Sequence, residues 1–321
     1  MSSKKLITIV IPAYNEEGNL FEVYRQIKRS LEPLLDDIEY EIVFVNDGSN
    51  DDTLAVMKSI MAIGNGIRVV NFDRNFGHEI AMTAGLDYAK GEAVIFMDAD
   101  LQHPPQLLPK MINKWLEGYE IVLTKIIKNE DKGLIKNILS SIFYKLSNMI
   151  SDVKIPPQTP DFRLVSGRYI KTLRDMRESS RMFRGMLNWL GLSNVAEIEF
   201  VAPKRYSGKT NYNLIKSLKL AFDSILQFSI KPLRLSIYLG VISALVAMIF
   251  ALWTIYEHYH LHQPSGYATI TCLVIFLSSI QFIILGIMGE YIGRIHIESK
   301  SRPLYFAELL EKKPDDENAK G

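Results

Sequence analysis

The chain has 321 residues, room for one large or two ordinary domains, and a formal charge of +1. So even a charge balance argues against nucleic acid as a partner, and the single cysteine, Cys272, excludes an internal disulfide. The N-terminal lysines and short apolar run meet Pro12 and then charge, with no small-residue cleavage site, so no signal peptide is expected.

In chain order, apolar runs suited to buried parallel strands occur at 6–12, 41–45, 67–72, 93–97 and 120–124. Helix-like stretches lie between them at 17–31, 51–63, 78–89 and 105–117. Alternation of this kind predicts βαβ units and an open, mostly parallel α/β sheet. Ligands of such sheets bind beyond the carboxyl ends of the strands. Three of those ends carry polar clusters: PAYNEE after the first strand, NDGSND after the second and DADLQHPP after the fourth. Residues 125–160 then read as a helical stretch, basic at first and apolar later, and 212–230 as an amphipathic helix beside a membrane.

From Leu235 to Tyr256 and from Tyr267 to Gly289 there is no charged residue. Each run exceeds the roughly 20 residues needed to cross a bilayer core. Lys216, Lys219, Lys231 and Arg234 precede the first run, Arg294, Lys300 and Arg302 follow the second, and EHYHLHQPSG between them has no Lys or Arg. The positive-inside tendency places both chain ends in the cytoplasm. The expected organisation is a catalytic domain over 1–211, a juxtamembrane helix over 212–233 and spans at 234–256 and 267–293. An external loop at 257–266 joins the spans, and a cytoplasmic tail at 294–321 ends in a polar, disordered stretch.

No G-x-G-x-x-G follows the first strand, no P-loop motif occurs, and no His/Cys cluster has zinc spacing. The acidic pair Asp98 and Asp100 is the more telling feature. Two carboxylates one residue apart at a strand end repel each other unless a cation sits there. Hard oxygen ligands suit Mg²⁺ or Mn²⁺ bridging to a diphosphate, with Gln102 able to add a carbonyl oxygen. A solvated turn is the alternative for the pair taken alone.

The motifs IVIPAYNEEGNL, EIVFVNDGSNDDT, FDRNFGHEIAMTAGLDYAKGEAVIFMDADLQHPP and DFRL resemble family 2 glycosyltransferases. With RYSGKTNY, two C-terminal spans and GEYIGRIHIESKSRPLY, the chain resembles the polyprenyl-phosphate (bactoprenol) glucosyltransferases, relatives of the dolichol-phosphate mannose enzymes, over about residues 6–306. The resemblance implies a GT-A fold, a nucleotide-sugar donor, Mg²⁺ or Mn²⁺ and an undecaprenyl-phosphate acceptor. It further implies a homotetramer in the inner membrane. UDP-glucose is the donor it favours. GDP-mannose, UDP-aminoarabinose and UDP-N-acetylhexosamine are alternatives, as is a non-catalytic membrane scaffold.

By the same resemblance, Pro12, Tyr14, Asn15 and Glu16 surround the nucleotide and Asp47 meets the base, with helix capping or a turn as the other reading of Asp47. Asp98, Ala99 and Asp100 meet the sugar diphosphate and metal, with Gln102 completing the shell. Arg74 and Asn75 line the donor pocket or structure their loop. Asp161 is the implied catalytic group, either a base or an orienting carboxylate, and it could instead simply pair with Arg163. A lipid monophosphate has a second pKa near ~6, so it is already a nucleophile at neutral pH, which favours orientation. Arg163, Arg181, Arg184, Arg205 and Lys209 are the cations expected at the acceptor or diphosphate, with Arg181 and Arg184 one helical turn apart. Two positions depart from the family pattern. Ile126 stands where relatives carry Arg, leaving Lys125 or Lys128 as substitutes, and Asn211 stands where they carry Lys.

Overall fold

The computed structural model describes residues 4–129, 159–179, 181–191, 193–203, 206, 229, 231–260 and 266–312. They fall into two compact units, one holding a sheet and its helices together with residues from Pro303 onward, the other holding two long helices.

The sheet unit opens with β1 (Lys5–Ala13), α1 (Leu20–Leu31), β2 (Ile38–Asn46), α2 (Thr53–Ile63), β3 (Ile67–Phe72), α3 (His78–Tyr88) and β4 (Ala93–Phe96). It continues with α4 (Leu108–Leu116), β5 (Ile121–Asn129), β6 (Arg163–Ser166), α5 (Gly167–Asp175), α6 (Phe183–Trp189), β7 (Val195–Ala202) and β8 (Ala307–Glu311). The strand order is β7-β5-β6-β4-β1-β2-β3-β8. β1 pairs in parallel with β2 and β4, β2 with β3, and β5 with β7. β6 runs antiparallel between β4 and β5, and β8 runs antiparallel along β3. The sheet is therefore mixed, as a GT-A fold requires.

Central strands are apolar on both faces because helices cover both. On β1, Ile7, Ile9 and Ile11 pack with Leu20, Val23 and Ile27 of α1 and Met111 and Ile112 of α4. Val10 faces the other way, into a cluster with Ala81 and Met82 of α3, Ile170 of α5 and Met186 of α6. Edge strand β7 alternates instead, burying Ala196, Ile198, Phe200 and Ala202 and exposing Glu197, Glu199 and Val201. A strand covered on one face needs only period-two patterning.

One expectation changes, and one strand near the chain's end is new. The fifth strand does not give way to a helix at 125. It runs to Asn129, because register pairs from Ile121↔Val195 to Asn129↔Ala202 carry β5 along β7 past Lys125↔Glu199. The remainder of that stretch, and the expected juxtamembrane helix at 212–230 apart from Ser229, lie outside the described residues. Ala307–Glu311, just ahead of the polar stretch, forms β8 against β3, a strand not among those expected.

In the second unit, α7 (Lys231–His260) and α8 (Tyr267–Ser299) run longer than the spans read from charge alone. Their segments Ser236–Tyr256 and Leu273–Ser299 have mean hydropathies of 2.2 and 2.0, long and apolar enough to cross a membrane. Gly240, Ala244 and Ala247 of α7 and Leu277 and Ile284 of α8 line a groove between them. Tyr291 on α8 donates to the Ser229 carbonyl at 2.7 Å.

Candidate functional site

β4, β1 and β2 lie side by side and parallel, so the segments after them meet at one edge of the sheet. The first two segments are knitted together. Asn15, held at φ +57°, donates its amide to Ser49 Oγ at 3.0 Å and accepts from Asn50 N at 2.9 Å. Glu16 N donates to Thr53 Oγ1 at 2.8 Å, and Asp52 N donates to Glu17 Oε2 at 2.8 Å. Pro12 is buried in β1 opposite Val45, beyond the point where the ladder to β4 ends at Val10. Pro12, Tyr14, Asn15 and Glu16 thus belong to one stiff wall.

Asp47 does not present an open carboxylate. It is buried, and its oxygens accept Phe76 N at 2.7 Å and Gly77 N at 3.0 Å, which ties the end of β2 to the turn entering α3. Burial raises its pKa, and the two amides offset part of that rise. It caps neither α2 nor the adjacent turn. The neighbouring Gly48 has φ +65°, and a Cβ there would lie 2.2 Å from the Arg74 carbonyl carbon, so no side chain fits. Arg74 lies 4.3 Å over the Phe76 ring.

The acidic pair splits into two environments. The side chain of Asp98 is 35 % exposed, with Oδ1 3.5 Å from His78 Nε2. Asp100 is buried, and its Oδ1 accepts Gln102 N at 3.0 Å across a turn in which Leu101 takes φ +61°. Ala99 is buried between them. His103 Nδ1 accepts the Asp98 amide at 3.0 Å, so its proton sits on Nε2. Its approach to Asp98 Oδ2 at 3.6 Å is therefore no ion pair. The His103 ring stacks on Phe162 at 5.1 Å.

Among the described residues no three His, Cys, Asp or Glu groups converge on a common point. A hard divalent ion with one or two protein carboxylates, its shell completed by phosphate oxygens and water, suits that donor set. Asp98 and Asp100 fit it, one accessible and one fixed.

Beside this edge lies a second cluster. Asp161 is 7 % exposed and accepts from Arg163 Nη2 at 2.9 Å and from Arg184 Nε and Nη2 at 2.9 and 2.7 Å. Burial alone would raise its pKa, but the guanidiniums of Arg184 and Arg163 outweigh burial and hold it far below the usual carboxylate range. Arg163 is buried, also donates to the Pro160 carbonyl, and leaves its Nε without an acceptor. Arg184 keeps 27 % of its side chain exposed.

His78 and Glu79 open α3 between the two clusters, and neither was singled out by sequence. His78 keeps 45 % of its side chain exposed; its packing against the domain lowers its pKa, but the carboxylates of Asp98, Asp161 and Glu79 overcome this and raise it. Burial and the proximity of Asp161 raise that of Glu79. The signal that finds them is the strand-end rule applied to β3 as well, because NFGHEI places two titratable residues where the chain turns into a helix.

Other expected residues are not brought in. Arg181 precedes α6 rather than sharing its face with Arg184, and its buried guanidinium donates to the carbonyls of Met176 and Leu173 at the end of α5. It closes a helix terminus. Lys125 pairs with Glu199 at 3.4 Å on β7, and Ile126 packs against the core. Arg205, Lys209 and Asn211 lie outside the described residues, although Tyr206 N donates to the Asp100 carbonyl at 3.3 Å.

A profile described as glycosyl transferase family 2 matches residues 8–174, and one described as the GtrB C-terminal hairpin matches residues 231–295. The uncharacterized glycosyltransferase YkcC of Bacillus subtilis is 37 % identical over 96 % of this chain and 95 % of its own. The bactoprenol glucosyl transferase of Shigella phage SfV is 37 % identical over 93 % of this chain and 97 % of its own. In the mannosyl-3-phosphoglycerate synthase of Rubrobacter xylanophilus, 69 % of this chain superposes on 72 % of that one with a TM-score of 0.50 at 17 % identity, a likeness of fold.

Proposed function

The chain belongs to glycosyl transferase family 2 and is a glycosyltransferase, and from this we propose that it transfers glucose from UDP-glucose to a polyprenyl phosphate. What carries the reading is one observation. A family 2 domain and a GtrB hairpin occur together in one chain, in the order and over nearly the full length of bactoprenol glucosyl transferases. The hairpin associates the enzyme with a membrane. Both chain ends are assigned to the cytoplasmic side because the loop between the helices carries no Lys or Arg.

In this reading the wall of Pro12, Tyr14, Asn15 and Glu16 flanks the nucleotide, and Asp98 and Asp100 face the diphosphate. Mg²⁺ or Mn²⁺ held by these carboxylates, with Gln102, would neutralise the leaving nucleoside diphosphate. A phosphate oxygen of the acceptor forms the new bond to the anomeric carbon as the bond from that carbon to the donor diphosphate breaks. Attack from the opposite face inverts the centre and gives a β-linked product. Asp161 takes no proton here. Its carboxylate is committed to Arg163 and Arg184, and the acceptor with its second pKa of about 6 is already ionised. Its work is to aim Arg184 at the incoming phosphate, with Arg205 and Lys209 as further cations of that phosphate or the diphosphate.

The test is to incubate membranes containing the protein with a panel of radiolabelled nucleotide sugars and extract the lipid fraction. Alkali-stable, acid-labile label from UDP-glucose in a polyprenyl lipid is the expected result. Label from another nucleotide sugar alone would replace the donor, and no lipid label from any would overturn the reading.

A further inference from the structure

α6 is only seven residues long, and the side chain of its N-cap residue, Met182, closes none of its free amides. The first of them is closed from another helix, because Phe183 N donates to Glu79 Oε2 at 2.8 Å. The Phe183 ring is buried and meets the Phe96 ring of β4 at 4.5 Å. The start of α6 is thus pinned twice, by its first side chain and by its first amide. Arg184 is the very next residue, and it delivers Nε and Nη2 to the two oxygens of Asp161. At its other end Glu79 is held by the turn into α3, where Asp47 grips the amides of Phe76 and Gly77.

We infer that Glu79 is a positioning residue for the acceptor phosphate, capping α6 so that the Arg184 guanidinium points into the site. This rests on the acceptor reading given above. Of the two arginines on Asp161, Arg184 is the one an incoming phosphate can reach, with 27 % of its side chain exposed against 3 % for Arg163. A guanidinium on a long side chain is a useful phosphate clamp only when its backbone is fixed. Here the fixing group is a carboxylate from α3. The negative charge of Glu79 also draws Arg184 towards it, and its own pKa is raised by burial and by Asp161.

The two contributions separate by substitution. Glu79→Gln keeps the length of the side chain and an oxygen for Phe183 N but removes the charge. Glu79→Asp keeps the charge but falls short of the amide. Glu79→Asp should raise the KM for polyprenyl phosphate about tenfold, the worth of one hydrogen bond to a charged group, and leave the nucleotide-sugar KM nearly unchanged. Glu79→Gln, which keeps the hydrogen bond and loses only the attraction, should raise the acceptor KM by less than Glu79→Asp does and leave the nucleotide-sugar KM unchanged. In an Arg184→Ala background Glu79→Asp should add almost nothing, because the residue acts through Arg184. The same cycle is read on thermal melting of the purified protein, where the losses at 79 and 184 should be non-additive. Multiplicative losses in KM and additive losses in melting would overturn the inference, as would a damaging Gln with a harmless Asp. If wild type itself failed to glycosylate polyprenyl phosphate, the acceptor reading would fall, and additive melting would overturn the positioning of Arg184 separately.

Discussion

Asp161→Asn is the sharpest perturbation of the site, because it keeps the shape and removes one charge. The carboxylate accepts from two guanidiniums and is almost wholly buried, as is Arg163. Asparagine would leave two cations facing each other around a neutral amide, and Arg163 already has a buried Nε with no acceptor. Removing one partner of a buried ion pair costs about 3–5 kcal/mol, and the partial exposure of Arg184 points to the lower end. At about 2–4 °C per kcal/mol for a domain of this size, the melting temperature should fall by about 6–12 °C at neutral pH. The sign with pH follows from the depressed folded-state pKa. Asp161 contributes its stability above the unfolded value of about 3.9, and that contribution is lost as pH falls towards the folded value. The gap between wild type and variant should therefore narrow below pH ~4. Activity should drop by a similar factor at every pH in a pH–rate profile at saturating substrates. Melting within a degree or two of wild type would refute the charge argument. Recovery of the variant above the acceptor pKa of about 6 would make Asp161 a base after all.

Asp100→Asn should nearly abolish transfer and Asp98→Asn should reduce it severely, with weaker Mn²⁺ binding in a titration of the purified protein. Unchanged Mn²⁺ affinity in both variants would remove the metal from this edge. Arg181→Ala should lower the melting temperature, since it strips donors from the Met176 and Leu173 carbonyls, and leave the acceptor KM alone. A raised acceptor KM in a fully folded Arg181→Ala variant would return this residue to the site. With Cys272 first changed to Ser, Ser265→Cys should react with an impermeant thiol reagent on intact cells. Reaction only after lysis would reverse the orientation.

Much of the fold is legible locally. β1 to β4 announce themselves because an interior parallel strand must be apolar on both faces; V-A-E-I-E-F-V-A of β7 carries the alternation of a half-covered strand, yet it is not among the expected strands. β6 and β8 show no such pattern. R-L-V-S and A-E-L-L-E are too short to show a period, and their pairing is decided by the strands waiting beside them. The site divides the same way. Asp98 and Asp100 are visible because a carboxylate pair at a strand end is locally costly. The bond between Asp161 and Arg184 spans 23 residues, and the cap from Glu79 to Phe183 spans 104, so only the folded chain brings them together. The spacing of Arg181 and Arg184 suggested a shared helix face, but the helix starts between them.

One edge strand of the sheet comes from a part of the chain made after both long helices. β8 follows both long helices in sequence, yet it lies along β3, with Val69 opposite Leu310 and Val70 opposite Leu309. Tyr305, just before it, stacks on Phe72 at 5.2 Å and donates to Asp87 at 2.8 Å. During synthesis, then, β3 must wait as an open edge while residues 73–306 emerge, including the two apolar helices. An unpaired strand edge invites pairing with other chains. Completion of the catalytic sheet thus follows synthesis of the hairpin, and a chain cut short before residue 307 keeps a bare flank along β3.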